Sequence, residues 1–331
     1  MKKVRVILLL AAFVLFAFAS VSFAQTSRNS LEIIPSKNYR PLKMTESESL
    51  QQLVDEAIKE VLAANSKLKP EDIAATVIDL SDADNIVWAN SRGEAQIYPA
   101  SVVKLFYLAA LHRQLQDKKI TLSKELERGM RDMIIDSSNE ATQYVLDVLT
   151  DTSSGAELPQ KQFDKWQYKR NRVNRYFSAL GYTNINVNQK TFCEDAYGIE
   201  QQSRGYEGKN RNMLTTNAAA RLIAEIAMLR IVTPERSREM LDLLKREPFK
   251  KGVRGEGQST EFSGLALIER KMTDAKLWSK AGWTNTARHD AAVIELPNGK
   301  KFAVAVFTER DANNKKPIAQ FVGKIIDELG K

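Results

Sequence analysis

The stretch YPASVVKLFYLAALHRQL (residues 98–115) sets Ser101 and Lys104 about one helical turn apart at the start of an apolar run. Side chains three residues apart lie on the same face of a helix and can reach each other. A lysine amine that is uncharged, through desolvation or cationic neighbours, can accept the proton of a serine hydroxyl. Pro99 and the strand pattern before it place Ser101 at a helix N-terminus, where free N–H groups can stabilise an oxyanion. Because Ser-x-x-Lys also arises by chance, its meaning depends on the rest of the chain.

Length and composition fit one large globular domain or two closely joined lobes. Of the 331 residues, 43% are hydrophobic and 27% charged, which is enough apolar side chain for a sizeable core. The single cysteine, Cys193, allows no intrachain disulfide. The two histidines, His112 and His289, are too few for a multi-histidine metal centre. The sequence therefore predicts no metal and no cofactor, and it argues against a metal-dependent hydrolase.

The first residues have the pattern of a secretory signal peptide. A basic start (MKKVR) precedes the apolar run Ile7–Ala19, and the small residues Ser22 and Ala24 suit cleavage after Ala24. Cleavage lowers the net charge from +8 to +5, a mild bias that we interpret as a solvated surface rather than a nucleic-acid site. We expect a secreted or periplasmic protein without a membrane anchor, in which residues 25–44 form an extended leader.

Strand patterns lie at both ends of the mature chain. Residues 74–80 (AATVIDL) and 85–90 (NIVWAN) predict one β-hairpin, and residues 289–296 (HDAAVIEL) and 301–309 (KFAVAVFTE) predict another. The second hairpin turns at residues 298–299, where Asn-Gly supplies the positive φ angles of a tight turn. The two ends of the chain must therefore meet to build one sheet.

Helical patterns fill the remainder. Amphipathic stripes predict one helix after the capping pair Thr45 and Glu48 and another near Pro317. The middle of the chain predicts further helices, at about residues 101–116, 124–134, 138–149, 162–180, 215–230 and 234–246. Residues 188–212 are polar and without periodicity, which is typical of a long loop that carries function.

Two further motifs follow Ser-x-x-Lys in the chain. DSSNEATQYVLDVL (136–149) places Ser137 and Asn139 at the start of a predicted helix, and WSKAGWT (278–284) places Lys280 and Gly282 on a strand. The order Ser-x-x-Lys, Ser-x-Asn, Lys-x-Gly is the signature set of class A β-lactamases and penicillin-binding proteins.

On these motifs the chain resembles the serine β-lactamase and penicillin-binding superfamily, in particular class A-like serine hydrolases, over about residues 45–331. The resemblance implies a two-lobed α/β (α+β) fold with a five-stranded antiparallel sheet, flanked by the N- and C-terminal helices. The sheet lobe would comprise about residues 45–99 and 247–331. An all-helical lobe would comprise about 100–246, with the active site in the cleft between the lobes.

The same resemblance implies a role for each motif residue. Ser101 would be the acylated nucleophile and Lys104 its proton acceptor. Ser137 would pass a proton to the leaving nitrogen, and Asn139 would hold the substrate amide. Lys280 would bias Ser137 electrostatically and attract the substrate carboxylate.

The segment after Lys280 both matches the family and departs from it. By resemblance, the backbone N–H groups of Ser101 and Trp283 would form the oxyanion hole, while Gly282 would let the substrate approach the strand. Ala281 replaces a threonine or serine whose hydroxyl binds the substrate carboxylate in relatives. We expect Thr284, or the pair Arg288-His289, to compensate for this loss.

The loop at 188–212 lacks the family's Glu-Pro-Glu-Leu-Asn string, whose first glutamate activates water for deacylation. Glu194 and Glu200 are the candidate replacements in this loop, although surface charge is the commoner role of such residues. Without a base, an acyl-enzyme formed with a β-lactam would persist.

Three functions remain open from the sequence. The first is a β-lactamase that opens its substrate through acyl-Ser101. The second is a D-alanyl-D-alanine peptidase or another cell-wall peptide or ester hydrolase, and the third is a non-hydrolytic β-lactam-binding sensor. Each implies a small-molecule β-lactam or cell-wall peptide as ligand, no nucleic acid, and a monomer.

Overall fold

The fold is built around one mixed β-sheet. A computed structural model describes residues 31–192 and 194–331 of the chain. Within these residues the strands are β1 (Thr45–Glu46), β2 (Ile73–Asp79), β3 (Val87–Ser91), β4 (Lys245–Arg246), β5 (Lys276–Trp283), β6 (Ala287–Glu295) and β7 (Lys301–Glu309). They are arranged in the order β1-β3-β2-β7-β6-β5-β4.

The predicted α/β class is confirmed, but the prediction of five antiparallel strands is wrong in detail. The described sheet has seven strands, and β1 pairs with β3 in parallel. The two additional strands, β1 and β4, are two-residue edge strands. Strands this short contain too few residues for an alternating pattern, so the sequence carries no periodic signal for them.

Both faces of the sheet are buried. Along β7 the side chains alternate between two hydrophobic clusters: Phe302, Val304 and Val306 point to one, and Ala303, Ala305 and Phe307 to the other. Strands that are covered on both sides read as nearly continuous apolar runs rather than as alternating ones. This is why residues 301–309 are so uniformly apolar.

Helices cover the two faces. In chain order they are α1 (Glu48–Ala64), α2 (Lys104–Gln116), α3 (Lys124–Ile135), α4 (Asn139–Thr150), α5 (Gln160–Arg170), α6 (Arg172–Ala179), α7 (Ile199–Arg204), α8 (Thr216–Ala227), α9 (Pro234–Leu244), α10 (Glu256–Thr260), α11 (Ser263–Glu269) and α12 (Lys316–Leu329). As predicted, the terminal helices α1 and α12 pack against each other on one face. The other face packs on α8, and α2 lies behind it with almost every side chain buried.

Of the predictions for single helices and hairpins, some are confirmed and others are wrong. Both hairpins form, as β2–β3 and β6–β7, although in the second turn only Gly299 has positive φ (+84°). The helix predicted over 162–180 is two helices, α5 and α6, that meet at Asn171. The predicted signal peptide lies outside the described residues. In the two described stretches, no helix is long and apolar enough to cross a bilayer.

We predict that Ile294→Ala lowers the free energy of unfolding by about 2–5 kcal/mol, because Ile294 is completely buried and its truncation leaves a cavity. Urea denaturation of the two proteins measures the difference. Leu122→Ala is the control, since Leu122 is exposed and should change stability by less than about 0.5 kcal/mol. Equal effects of the two substitutions would contradict the central position of the sheet in the core.

Candidate active site

Ser101 lies on a single 3₁₀ turn, Ala100–Val103, that continues directly into α2. The backbone N–H of Lys104 donates to the carbonyl of Ser101 and joins the turn to the helix. Ala100 has φ +46°, a left-handed conformation that residues with a Cβ rarely adopt. Such backbone strain persists where the surrounding structure enforces it, and it clusters at functional sites. The turn thus presents Ser101 at the start of the helix, as the sequence predicts.

The side chain of Lys104 connects the first motif to the second. Lys104 is completely buried, and its Nζ donates to the carbonyl of Ser137 (2.5 Å) and to Oδ1 of Asn139 (2.8 Å). The same nitrogen lies 3.3 Å from Ser137 Oγ. Asn139 is the first residue of α4, so this helix start is held against the start of α2 by one amine.

Ser137 lies between two lysines. Its Oγ lies 3.0 Å from Nζ of Lys280 on β5, in addition to its contact with Lys104. Burial lowers the pKa of Lys280 well below its ordinary value, and the positive charges of Lys104 and Arg246 act in the same direction against the opposing charge of Asp290. An amine in this position can lose its proton and accept one from a hydroxyl.

Gly282 allows β5 to pass very close to the Ser101 turn. A Cβ at this position would lie 2.7 Å from the carbonyl oxygen of Pro99 and 2.9 Å from the backbone nitrogen of Ser101. Separations below 3.0 Å from backbone atoms require the backbone to move. Glycine is therefore required for the observed distance between the strand and the turn. The predicted role of Gly282 in the approach of a substrate stays a prediction.

Two cavities, each of about 420 Å³, open on either side of Ser101. Both are lined by Ser101, Asn139 and Trp283. The first cavity also includes Ser137, Gly257, Gln258, Glu261, Phe262, Ala281, Gly282, Arg288, Asn313 and Lys315. The second includes Tyr98, Ala100, Thr191, Phe192, Thr284 and Asn285. Seven predicted site residues thus line one or both cavities of this cleft, namely Ser101, Ser137, Asn139, Gly282, Trp283, Thr284 and Arg288. Lys104 and Lys280 are buried and contact Ser137.

Trp283 forms part of the wall between the cavities. The residue is 54% exposed, although its Nε1 donates to the carbonyl of Ala312 at 3.1 Å. A large aromatic surface that is left open in a cleft can stack on a ligand.

Of the two expected replacements for the missing hydroxyl at Ala281, only Arg288 lines the same cavity. Its guanidinium is held by the carbonyl of Ala312 (3.1 Å) and by the Glu261 carboxylate (3.2 Å). Thr284 lines the second cavity instead. Its Oγ1 accepts the backbone N–H groups of residues 286 and 287, so this hydroxyl closes a turn rather than replacing the one lost at Ala281.

His289 does not reach the cleft, so its expected part in carboxylate binding is wrong. The ring is completely buried; Nδ1 accepts the backbone N–H of Thr308 (3.1 Å), which leaves Nε2 to donate to the carbonyl of Tyr98 (3.0 Å). Burial lowers the pKa of His289 to about 4. The neutral ring therefore holds the chain just before Ser101 in place.

The two candidate deacylation bases also lie away from the cleft. Glu200 is buried on α7, where it accepts two hydrogen bonds from Arg170 (2.8 Å each) and one from Ser154 (2.9 Å). Burial by itself raises the pKa of Glu200, but Arg170, Lys190 and Ser154 together outweigh burial and hold the pKa below its usual range. Glu194 is exposed. Neither residue is among those that line the two cavities.

A group of charged residues, Glu261, Arg288 and Lys315, lines the first cavity, and the sequence predicts only Arg288 among them. Glu261 accepts from Lys315 Nζ (2.9 Å) as well as from Arg288. Burial raises the pKa of Glu261, but these two cations more than offset burial and lower it overall. The three residues come from separate segments without a shared motif, so only the folded chain brings them together.

The chain matches the β-lactamase enzyme family over residues 53–330 and belongs to that family. Its fold is similar to that of a β-lactamase from Sphaerobacter thermophilus (18% identity, TM-score 0.60, covering 84% of this chain and 97% of the other). A class A β-lactamase from Bacteroides cellulosilyticus is similar as well (17%, 0.57, 84% and 98%). So is a variant of PBP-A in an acyl-enzyme complex with penicillin G (16%, 0.60, 88% and 99%). None of the curated proteins matches the chain significantly. The resemblance inferred from the three motifs is confirmed.

We predict that Glu200→Gln lowers the free energy of unfolding at pH 7, because it leaves Arg170 and Lys190 buried without that carboxylate. The folded-state pKa of Glu200 is depressed, so its stabilisation is present above the unfolded-state pKa and is lost as pH falls through the folded-state pKa. The difference between wild type and variant should therefore shrink on acidification. Urea unfolding between pH 7 and pH 3 measures it.

Glu194→Gln is the matched control, since it changes an exposed glutamate of the same loop. We expect it to unfold like the wild type at every pH. A constant difference between wild type and Glu200→Gln down to the lowest pH would contradict a stabilising role of the ionised carboxylate.

Proposed function

We propose that the protein is a serine hydrolase that opens a β-lactam amide through an acyl-Ser101 intermediate. The observation that carries the proposal is the position of the Ser137 hydroxyl, which lies 3.3 Å from Nζ of Lys104 and 3.0 Å from Nζ of Lys280. Ser137 and Ser101 line the same cavity. A nucleophile, a second hydroxyl and two buried amines can together carry out acyl transfer without histidine.

In acylation, Ser101 Oγ attacks the lactam carbonyl carbon while its proton passes to the amine of Lys104. The carbonyl oxygen becomes an oxyanion, which the backbone N–H groups of Ser101 and Trp283 stabilise. The carbon–nitrogen bond then breaks, and Ser137 donates its proton to the leaving nitrogen. Lys104 then passes the proton that it took from Ser101 to Ser137, from which it lies 3.3 Å away, so that the enzyme carries an acyl group on Ser101 and no net change elsewhere.

Deacylation needs water and a base that accepts its proton. Asp and Glu are absent from the described lining of the second cavity, and the one acidic residue lining the first, Glu261, is paired with Arg288 and Lys315. We therefore expect the acyl-enzyme to form faster than it is hydrolysed. PBP-A, in the variant complex with penicillin G, supports this expectation, since its acyl-enzyme has been captured.

The slow second step also favours an alternative substrate. A D-alanyl-D-alanine peptide, or another cell-wall peptide or ester, would acylate Ser101 by the same steps, while β-lactams would act as long-lived acylating agents. A non-hydrolytic β-lactam sensor would end at the acylated state. Export by the predicted signal peptide would place any of these activities outside the cytoplasm.

We predict that a fluorescent penicillin labels the wild-type protein covalently and that Ser101→Ala abolishes labelling, because the variant has no hydroxyl to acylate. Gel fluorescence over time measures labelling, and nitrocefin absorbance measures turnover. Stable labelling with little nitrocefin turnover is expected. Rapid nitrocefin turnover that is lost in Ser101→Ala would contradict slow deacylation. Absence of labelling by the fluorescent penicillin would contradict the acyl-serine proposal.

We predict that Gly282→Ala lowers the second-order rate constant of labelling by about 100-fold, the order of loss expected from displacing reacting groups by about an ångström. The added methyl group would press on the Pro99 carbonyl and on the Ser101 nitrogen. Gly257→Ala is the matched control, because this glycine lines the same cavity but has nothing within 4 Å of an added Cβ. Similar rate constants for both variants would show that the close approach is unimportant.

A further inference from the structure

The side chain of Gln258 joins two parts of the cleft. It is half-buried on α10 and lines the first cavity. Its Oε1 accepts a hydrogen bond from Lys280 Nζ at 2.6 Å. Its Nε2 donates to the carbonyl of Ile135 at 2.7 Å and to that of Ile134 at 3.1 Å. One amide therefore connects the lysine on β5 with the end of α3.

The partners of Gln258 determine which way its amide points. Lysine nitrogen donates to Oε1, and backbone carbonyls can only accept from Nε2. If the amide were flipped, Oε1 would face the Ile135 carbonyl oxygen, and two acceptors would meet. Nε2 would then face Lys280 Nζ, and two donors would meet. Glutamate would keep an acceptor for Lys280 but lose the donor, whereas methionine would lose both.

The chain that Gln258 holds at Ile135 leads directly to Ser137. Ser137 has φ +59°, so the backbone between α3 and α4 takes a conformation that needs external support. Support comes from the segment just before Gln258: Arg254 binds the Asp136 carboxylate, and a Cβ at Gly255 would lie 2.3 Å from the Ile135 carbonyl oxygen. Residues 254–258 thus contact the connection between α3 and α4 at several positions. Among these contacting residues, Gln258 also binds Lys280.

We propose that Gln258 is a positioning residue that holds Lys280 Nζ and the Ser137 hydroxyl at hydrogen-bonding distance for proton transfer. This inference rests on the proposed acyl-serine chemistry, in which Ser137 delivers the proton to the leaving nitrogen. Gln258 itself needs no contact with the reacting atoms, because it binds the Lys280 amine through Oε1 and the Ile135 carbonyl, two residues before Ser137, through Nε2.

Charged groups on three elements around Lys280 influence its pKa. Lys104 lies on α2, Arg246 on β4 and Asp290 on β6, and all three influence its proton affinity. Gln258 adds a neutral acceptor to this set. Its replacement therefore has opposite expected effects: Gln258→Glu brings a negative charge that favours the ammonium form, while Gln258→Met removes an acceptor of the ammonium form and disfavours it.

Two measurements test the proposal on the full-length mature protein. The first is the rate constant for labelling of Ser101 by a fluorescent penicillin at pH 7, where Gln258→Met should be slower by about 100-fold because the proton donor is displaced. Gln258→Glu should also be slower, since it cannot donate to Ile135. The second is the titration of Lys280 by NMR with ¹³Cε-lysine, its signal assigned as the one missing in Lys280→Arg. The midpoint should rise in Gln258→Glu and fall in Gln258→Met.

Gln202 provides the matched control. It joins two chain segments in the same way, with Oε1 accepting from the Leu158 N–H (3.0 Å) and Nε2 donating to the Leu158 carbonyl (2.9 Å), but it lies on α7 outside both cavities. Gln202→Met and Gln202→Glu should label at the wild-type rate and leave the Lys280 midpoint unchanged.

Several outcomes would overturn the inference. Labelling rates in the Gln258 variants within twofold of their Gln202 counterparts would contradict it. Slower labelling with an unmoved Lys280 midpoint would reduce Gln258 to a general structural role. If Gln258→Met does not fold, Gln258→Glu, which is almost isosteric, decides alone. If the wild type is not labelled at all, the proposed function fails, and the Lys280 midpoint by itself then supports or contradicts the positioning contact.

Discussion

Two lysine amines buried against one serine hydroxyl form the arrangement on which the rest of the site depends. Lys104 and Lys280 are both completely buried, and each has its Nζ within 3.3 Å of Ser137 Oγ. Two adjacent positive charges would repel each other strongly in a medium of low dielectric constant, and desolvation penalises each of them further. The surrounding carbonyl and amide oxygens satisfy the N–H donors without supplying full negative charges. Burial and these like charges therefore lower the pKa of Lys280 well below its ordinary value.

The positions of these amines explain much of the surrounding backbone. Ala100 and Ser137 both adopt left-handed conformations, one directly before Ser101 and the other between the two lysines. Neutral His289 supports the first strained segment through the Tyr98 carbonyl, and the 254–258 segment supports the second. Conformations that are unfavourable by themselves are thus maintained by contacts from β6 and α10, elements far away along the chain.

The sequence predicts the parts of the site that are local and repeat a known order. Ser101, Lys104, Ser137, Asn139 and Lys280 fall within short motifs, and the structure brings all five together around one cleft. The position of the loop glutamates could not be predicted in this way. The sequence shows that Glu200 is present, but not that it pairs with Arg170, thirty residues away. Likewise, β1 and β4 are too short for periodicity, and Gln258 has no motif around it. These features depend on contacts between distant segments, which spacing alone does not reveal.

The ion cluster around Glu200 has a consequence for how this fold can evolve. Arg170 and Lys190 make Glu200 indispensable to the loop that carries it, so selection cannot easily recruit that carboxylate for chemistry. A carboxylate that faces the cleft would therefore have to come from another position. Thr191 and Phe192 of the same loop line the second cavity beside Ser101, so a substitution at either position would place a carboxylate there.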